Sequence, residues 1–92
     1  MYAVFVTVSI DAAQEQGARK HLREVIVPRV KSAPGLVKAY WTIRSDSGHG
    51  MSLIVFDTKE HAEAAAEMVR TAQPPPGVTF GSADVREVVA EA

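Results

Sequence analysis

The chain has 92 residues, 47% of them hydrophobic, and its ten Lys and Arg nearly balance eleven Asp and Glu for a net charge of −1. So short a chain forms one hydrophobic core and not two, and its balanced charge sets up no field to draw nucleic acid or an anionic membrane surface. The absence of cysteine excludes a disulfide framework, a thiolate metal site and a cysteine nucleophile. The apolar start lacks the basic flank and cleavage site of a signal peptide and is too short to span a bilayer, so the expectation is a single soluble, cytoplasmic domain over residues 1–92 with no nucleic-acid or membrane partner.

Tyr2 to Ile10 is rich in β-branched residues and reads as a strand, with Tyr2, Val4, Val6, Val8 and Ile10 on one face and Ala3, Phe5, Thr7 and Ser9 on the other. Asp11 is placed to cap a helix in which Ala18, Leu22, Val25, Ile26, Val30 and Ala33 recur at helical spacing, up to Pro34-Gly35. Pro28 is expected to kink or break it near its last turns. Leu36 to Arg44 alternates Val37, Ala39, Trp41 and Ile43 against Lys38, Tyr40, Thr42 and Arg44, then enters a hairpin loop at Ser45-Asp46-Ser47-Gly48-His49-Gly50. Met51 to Phe56 is a nearly continuous apolar run, as in a strand buried on both faces. Asp57-Thr58-Lys59-Glu60 has the spacing of a capping box with Asp as the cap, and Ala62, Ala65, Ala66, Val69 and Ala72 form a narrow stripe on a second helix. Gln73-Pro74-Pro75-Pro76-Gly77 makes a stiff connector, and Val78 to Val89 holds the last strand.

The order βαββαβ is that of the ferredoxin-like α+β fold, a four-stranded antiparallel sheet with strands one and three central and two helices on one face. Composition agrees, since Lys38, Arg44, Asp84, Arg86 and Glu87 fall in the two edge strands. The helices leave the other face open, yet Phe5, with either Leu53 and Val55 or Ile54 and Phe56, points there. An apolar face left in water marks an interaction surface, and a second copy of the chain is the expected cover.

Ala33-Pro34-Gly35-Leu36, then Ala39-Tyr40-Trp41, the Asp-Ser-Gly loop and Ile54-Val55-Phe56-Asp57-Thr58-Lys59-Glu60-His61-Ala62 together resemble the dimeric α-β barrel superfamily, in particular its antibiotic biosynthesis monooxygenase-like branch, over roughly residues 2 to 72. The resemblance implies two sheets packed face to face into a barrel, with a ligand cavity between sheet and helices in each subunit. It also implies cofactor-independent chemistry on a small aromatic or polyketide-type compound, carried by a Trp at the end of strand three, an Asn four residues before it and a Tyr six residues after it. By that count this chain has Phe56, Ser52 and Ala62. Haem-degrading relatives use an Asn, a Trp and a His, and this chain has no Asn. The same lack excludes an acylphosphatase, and one aromatic with no basic neighbour in strand three excludes an RNA-binding sheet.

The candidate cavity residues are Phe5, Tyr40, Trp41, His49, Ser52, Ile54 and Phe56. Tyr40 and Trp41 are adjacent and so face opposite ways, and an even hairpin offset puts Trp41 beside Ile54 and Phe56. Each aromatic also serves as core or dimer filler, and His49 reads either as a base at a cavity mouth or as a solvated loop residue. His21 and His61 lack partners at metal-ligand spacing, and Arg19, Lys20 and Arg23 read as a solvated face paired with Glu15 and Glu24. No catalytic residue, metal or cofactor is assigned. The functional expectation is a homodimeric small apolar-ligand-binding or stress-related module; the alternative is a monooxygenase-like enzyme on a small aromatic or polyketide-type compound.

Overall fold

A computed structural model describes residues 1–44 and 46–92; Ser45, assigned above to the hairpin loop, lies outside the described residues. The strands are β1 (Tyr2–Ile10), β2 (Leu36–Arg44), β3 (His49–Phe56) and β4 (Val78–Glu87). Between β1 and β2 runs one helical stretch made of a 3-10 turn (Ala12–Gln14), α1 (Glu15–His21), a π-helical turn (Leu22–Ile26) and α2 (Val27–Lys31). Between β3 and β4 lies α3 (Lys59–Thr71). The sheet order is β2-β3-β1-β4 with every neighbouring pair antiparallel, so the two strands with apolar residues on both faces are indeed the central ones. Among the described residues no helix is long and apolar enough to cross a membrane.

The core lies under α3. Val4 stands opposite Ile54 on one side and Val85 on the other, and these side chains meet Ala62 and Ala66, both fully buried. Alanine at these positions lets the helix axis approach the sheet, and the contact completes a cluster with Phe56, Val6 and Ala83. Leu53 and Val55 pair with Phe5 and Ala3 and share their opposite face, which settles the choice left open by the sequence.

The first helical stretch begins as expected, with the Asp11 carboxylate accepting the Ala13 N–H at 3.0 Å. Pro28 does not end it. The N–H of Val27 donates to the carbonyl of Leu22, a five-residue spacing. Widening the preceding turn relieves the clash of the proline ring with the carbonyl four residues back, and the helix resumes to Lys31.

Other departures have local causes. In β2, Leu36 pairs with Phe56 and Lys38 with Val55, so Val37 is the extra residue of a bulge and is half exposed rather than aligned with Ala39, Trp41 and Ile43. In β4 the register slips between Ser82, opposite Thr7, and Phe80, opposite Val8. The residue passed over is Gly81, where a Cβ would come within 2.9 Å of the Thr7 carbonyl oxygen. That slip brings Phe80, Ala83 and Val85, which break strict alternation, onto the helix face together. The cap of α3 is Thr58 and not Asp57: the Thr58 hydroxyl accepts the His61 N–H at 3.2 Å. β3 starts two residues earlier than expected, at His49, and β4 ends at Glu87 instead of Val89, although the Val88 N–H still donates to the Met1 carbonyl at 2.9 Å.

On the face away from the helices, the Arg86 guanidinium lies 5.3 Å from the centre of the Phe5 ring and the Lys38 ammonium 5.9 Å from that of Tyr40. Tyr40 and Met51 are each more than half exposed there, at 54% and 52%.

Candidate functional site

A cavity of about 430 Å³ lies between the sheet and the first helical stretch. Its origin is visible along β3. On the helix-facing side of that strand the residues run Phe56, Ile54, Ser52, Gly50, and the falling side-chain size leaves progressively more space above the strand. β1 follows the same gradient, from fully buried Val4 to partly exposed Val8 and Ile10. Helix-on-sheet packing is carried by α3 against β1, β3 and β4. The first stretch buries only Ala18 between Ala12 and Lys31, so it stands off the sheet and roofs the space.

The floor is formed by Val6, Val8, Trp41, Ser52, Ile54 and Phe80, and the roof by Ala18, Leu22, Ile26 and Val30. One end is closed by Ala72 to Pro75, the close of α3 and the start of the proline connector. Polar groups are sparse: Ser52 brings a hydroxyl and Gln73 an amide, and Arg19, His21 and Arg29 come from the helical wall, while the Thr42 hydroxyl is turned to the other face and donates to the Met51 carbonyl at 2.7 Å. Arg19 is engaged with Glu15, its Nε donating to Oε2 at 3.0 Å, which is the i,i+4 pair expected from the sequence.

The structure brings together three of the seven candidate residues. Trp41 stands directly opposite Ser52, and with Ile54 both line the cavity. Arg44 pairs with His49, and this even offset is what turns Trp41 to the helix side. Phe56 shares that side but sits in the core, 2% exposed. Phe5 and Tyr40 lie on the opposite side, beside an open depression that the C-terminal Val88 to Ala92 also borders. His49 is exposed at the start of β3, in step with Met51 and Leu53 on the open side. Arg19, His21 and Arg29 line the cavity, although the sequence placed Arg19 on a solvated face, weighed His21 only as a metal ligand and gave Arg29 no role. Leu22, Ile26 and Arg29 are spaced by four and three, which marks one helix face, but nothing in the sequence says how far that face stands from the sheet.

A second polar cluster lies outside the cavity. Asp57 Oδ1 and His61 Nδ1 are 2.7 Å apart on the first turn of α3. The hydrogen bond from His61 holds the Asp57 carboxyl below the usual carboxylate range, helped by the imidazole charge and the Thr58 backbone N–H. Gly35, at φ +79°, turns the chain into β2 against this pair, and a Cβ there would strike both the Asp57 carboxylate and the His61 ring. The Asp57 N–H donates to the Gly35 carbonyl at 2.9 Å. The cluster therefore ties the entry of β2 to the exit of β3. Among the described residues no three His, Asp or Glu side chains gather to hold a metal ion.

No family model and no curated protein sequence matches the chain. Solved structures do. The haem-degrader MhuD of Mycobacterium tuberculosis, with two haems bound in its active site, superposes with a TM-score of 0.75 at 14% identity, covering 100% of this chain and 99% of that one. A dimeric ferredoxin-like protein from an uncultured marine organism gives 0.69 at 15%, covering 100% and 98%. A monooxygenase of Streptomyces coelicolor in complex with nanaomycin D gives 0.56 at 10%, covering 99% and 92%. With the strand order, the helices on one face and these superpositions along its whole length, the chain has the ferredoxin-like α+β fold that these proteins share, the fold expected from its βαββαβ order.

Proposed function

We propose that the chain is a cytoplasmic, homodimeric binding protein that holds a small, largely apolar molecule between its sheet and its first helical stretch, the sheet's open face being closed by a second copy. The observation that carries this reading is the cavity itself: about 430 Å³ with a mainly aliphatic and aromatic lining, within the range of small-molecule sites. A stress-related role is compatible with such a module. The open face supports the dimer, because Phe5, Leu53, Val55, Tyr40 and Met51 lie on it without a covering element, and one of the structures that share the fold is described as dimeric.

The enzyme reading draws on one observation, the pairing of Trp41 with Ser52 on the cavity floor. It is the weaker reading because two positions at which the resemblance implies active-site Trp and Tyr are packed away. Phe56 and Ala62 are 2% and 0% exposed and contribute to the core.

The test has three readouts. Sedimentation at micromolar concentration gives a dimer; a monodisperse monomer rejects that part. Native mass spectrometry and titration of Trp41 fluorescence with small aromatic compounds show one ligand per subunit, and no binding across a varied panel rejects the cavity reading. Oxygen consumption on anthrone-type substrates stays at background; turnover abolished by Trp41→Phe replaces the binding module with the enzyme.

A further inference from the structure

We propose that the ligand of this cavity is an organic anion, an apolar ring system carrying one carboxylate or sulfonate-type acid group, with Arg29 as the anchor for that group. The proposal rests on the cavity-binding reading above and goes on to specify the ligand's charge. The ionisable residues that line the cavity are Arg19, His21 and Arg29, and the lining contains no Asp or Glu, although Glu15, just outside it, pairs with Arg19. Chain composition does not explain this, since acids outnumber Lys and Arg eleven to ten.

The charges are also on one side. All three belong to the helical wall, whereas the strand floor offers Val6, Val8, Trp41, Ile54 and Phe80 with only the Ser52 hydroxyl for polarity. A cavity with an apolar floor and a cationic wall suits a molecule with a hydrophobic body and an acidic edge. A neutral hydrocarbon would leave that wall unused, and a cation would be repelled by it.

Arg19 and Arg29 are not equivalent. Ten residues separate them, roughly 15 Å along a helix, so they flank Leu22 and Ile26 rather than converge on one atom. Arg19 already gives its guanidinium to Glu15 at 3.0 Å. Among the described residues Arg29 has no ion pair, and its guanidinium is available to take two oxygens of one acid group side by side. A ring held from Arg29 then lies beneath Ile26 and Leu22, over the sheet.

The test uses two probes that share a ring system and differ in charge: 1-anilinonaphthalene-8-sulfonate and the uncharged N-phenyl-1-naphthylamine. Trp41 is the only tryptophan and stands in the floor; in a domain 37 × 24 × 21 Å across, energy transfer from it reports a probe bound anywhere on the chain, and loss of that signal in Ser52→Leu, which fills the cavity, assigns the probe to this site. Arg29→Gln is expected to weaken the sulfonate about fivefold to tenfold, the size of a charge-assisted hydrogen bond at a partly wet site, and to leave the neutral probe unchanged. Arg29→Lys retains part of the affinity, and raising the salt concentration weakens the sulfonate alone. Arg29 sits exposed at the end of the helical stretch, so the variants fold. If both probes bind and Arg29→Gln changes neither, the anion assignment is overturned while the cavity reading stands. If neither probe accepts energy from Trp41, both fall together.

Discussion

Phe56→Ala separates a core residue from a site residue on the same strand face. Phe56 is one of the two largest fully buried side chains, beneath Ala62 and Ala66 of α3 and beside Val4. Its truncation forfeits about 1.5–3 kcal/mol of apolar burial, and α3 is held too close to the sheet by its backbone connections to collapse into the hole, so the total comes to about 3–5 kcal/mol. For a domain of this size that lowers the melting temperature by on the order of 20 °C. The assay is urea unfolding at fixed protein concentration, because a dimer's apparent stability depends on it, with Trp41→Ala run in parallel. Trp41 is only partly buried and borders open cavity; its removal costs about half as much or less, there being fewer neighbours to lose, but it reduces ligand binding. A cost below about 1 kcal/mol for Phe56→Ala with an unchanged urea slope, accompanied by lost binding, would refute the assignment of Phe56 to the core and return it to the site.

Gly35→Ala combines a left-handed backbone with a collision against Asp57 and His61, and is expected to destabilise by more than about 1 kcal/mol in the same assay; a neutral result contradicts the packing described for that turn. Because the Asp57 carboxyl is held below the ordinary aspartate value of 3.8 in the folded chain, its contribution is present above that value and disappears as the pH falls through the lower, folded pKa. The stability difference between the wild type and Asp57→Asn should accordingly shrink under acid, and an NMR titration of Asp57 with a midpoint above 3.8 contradicts the pairing with His61. Leu53→Glu on the open face converts the sedimenting species to a monomer with its circular dichroism unchanged; a persistent dimer moves the interface elsewhere.

Much of this architecture was legible because it depends on short-range pattern. The two-sided apolar character of Tyr2–Ile10 and Met51–Phe56 marked the central strands, and the parity of the hairpin was enough to turn Trp41 toward the helices. What escaped depends on breaks in pattern or on distance. Strict alternation misplaces Val37, and it cannot reconcile Phe80 with Ala83 unless Gly81 is recognised as a bulge. Asp57 fits the spacing of a cap as well as Thr58 does, and the decision is made by Gly35 and His61, which occupy the Asp57 backbone and side chain. The basic wall escaped because Arg19 has a satisfying partner in Glu15, which makes a solvated surface a sufficient explanation until the height of the helix above the sheet is known.

The diminishing series Phe56, Ile54, Ser52, Gly50 makes the size of the cavity adjustable at a single codon. A side chain at position 50 would press on Val8 at 2.8 Å and position 54 belongs to the core, so Ser52 is the place where bulk is added or removed without disturbing what holds the domain together. Val or Leu there would shorten the chamber and Ala would enlarge it, while α3 and its alanines went on stabilising the other end of the same sheet.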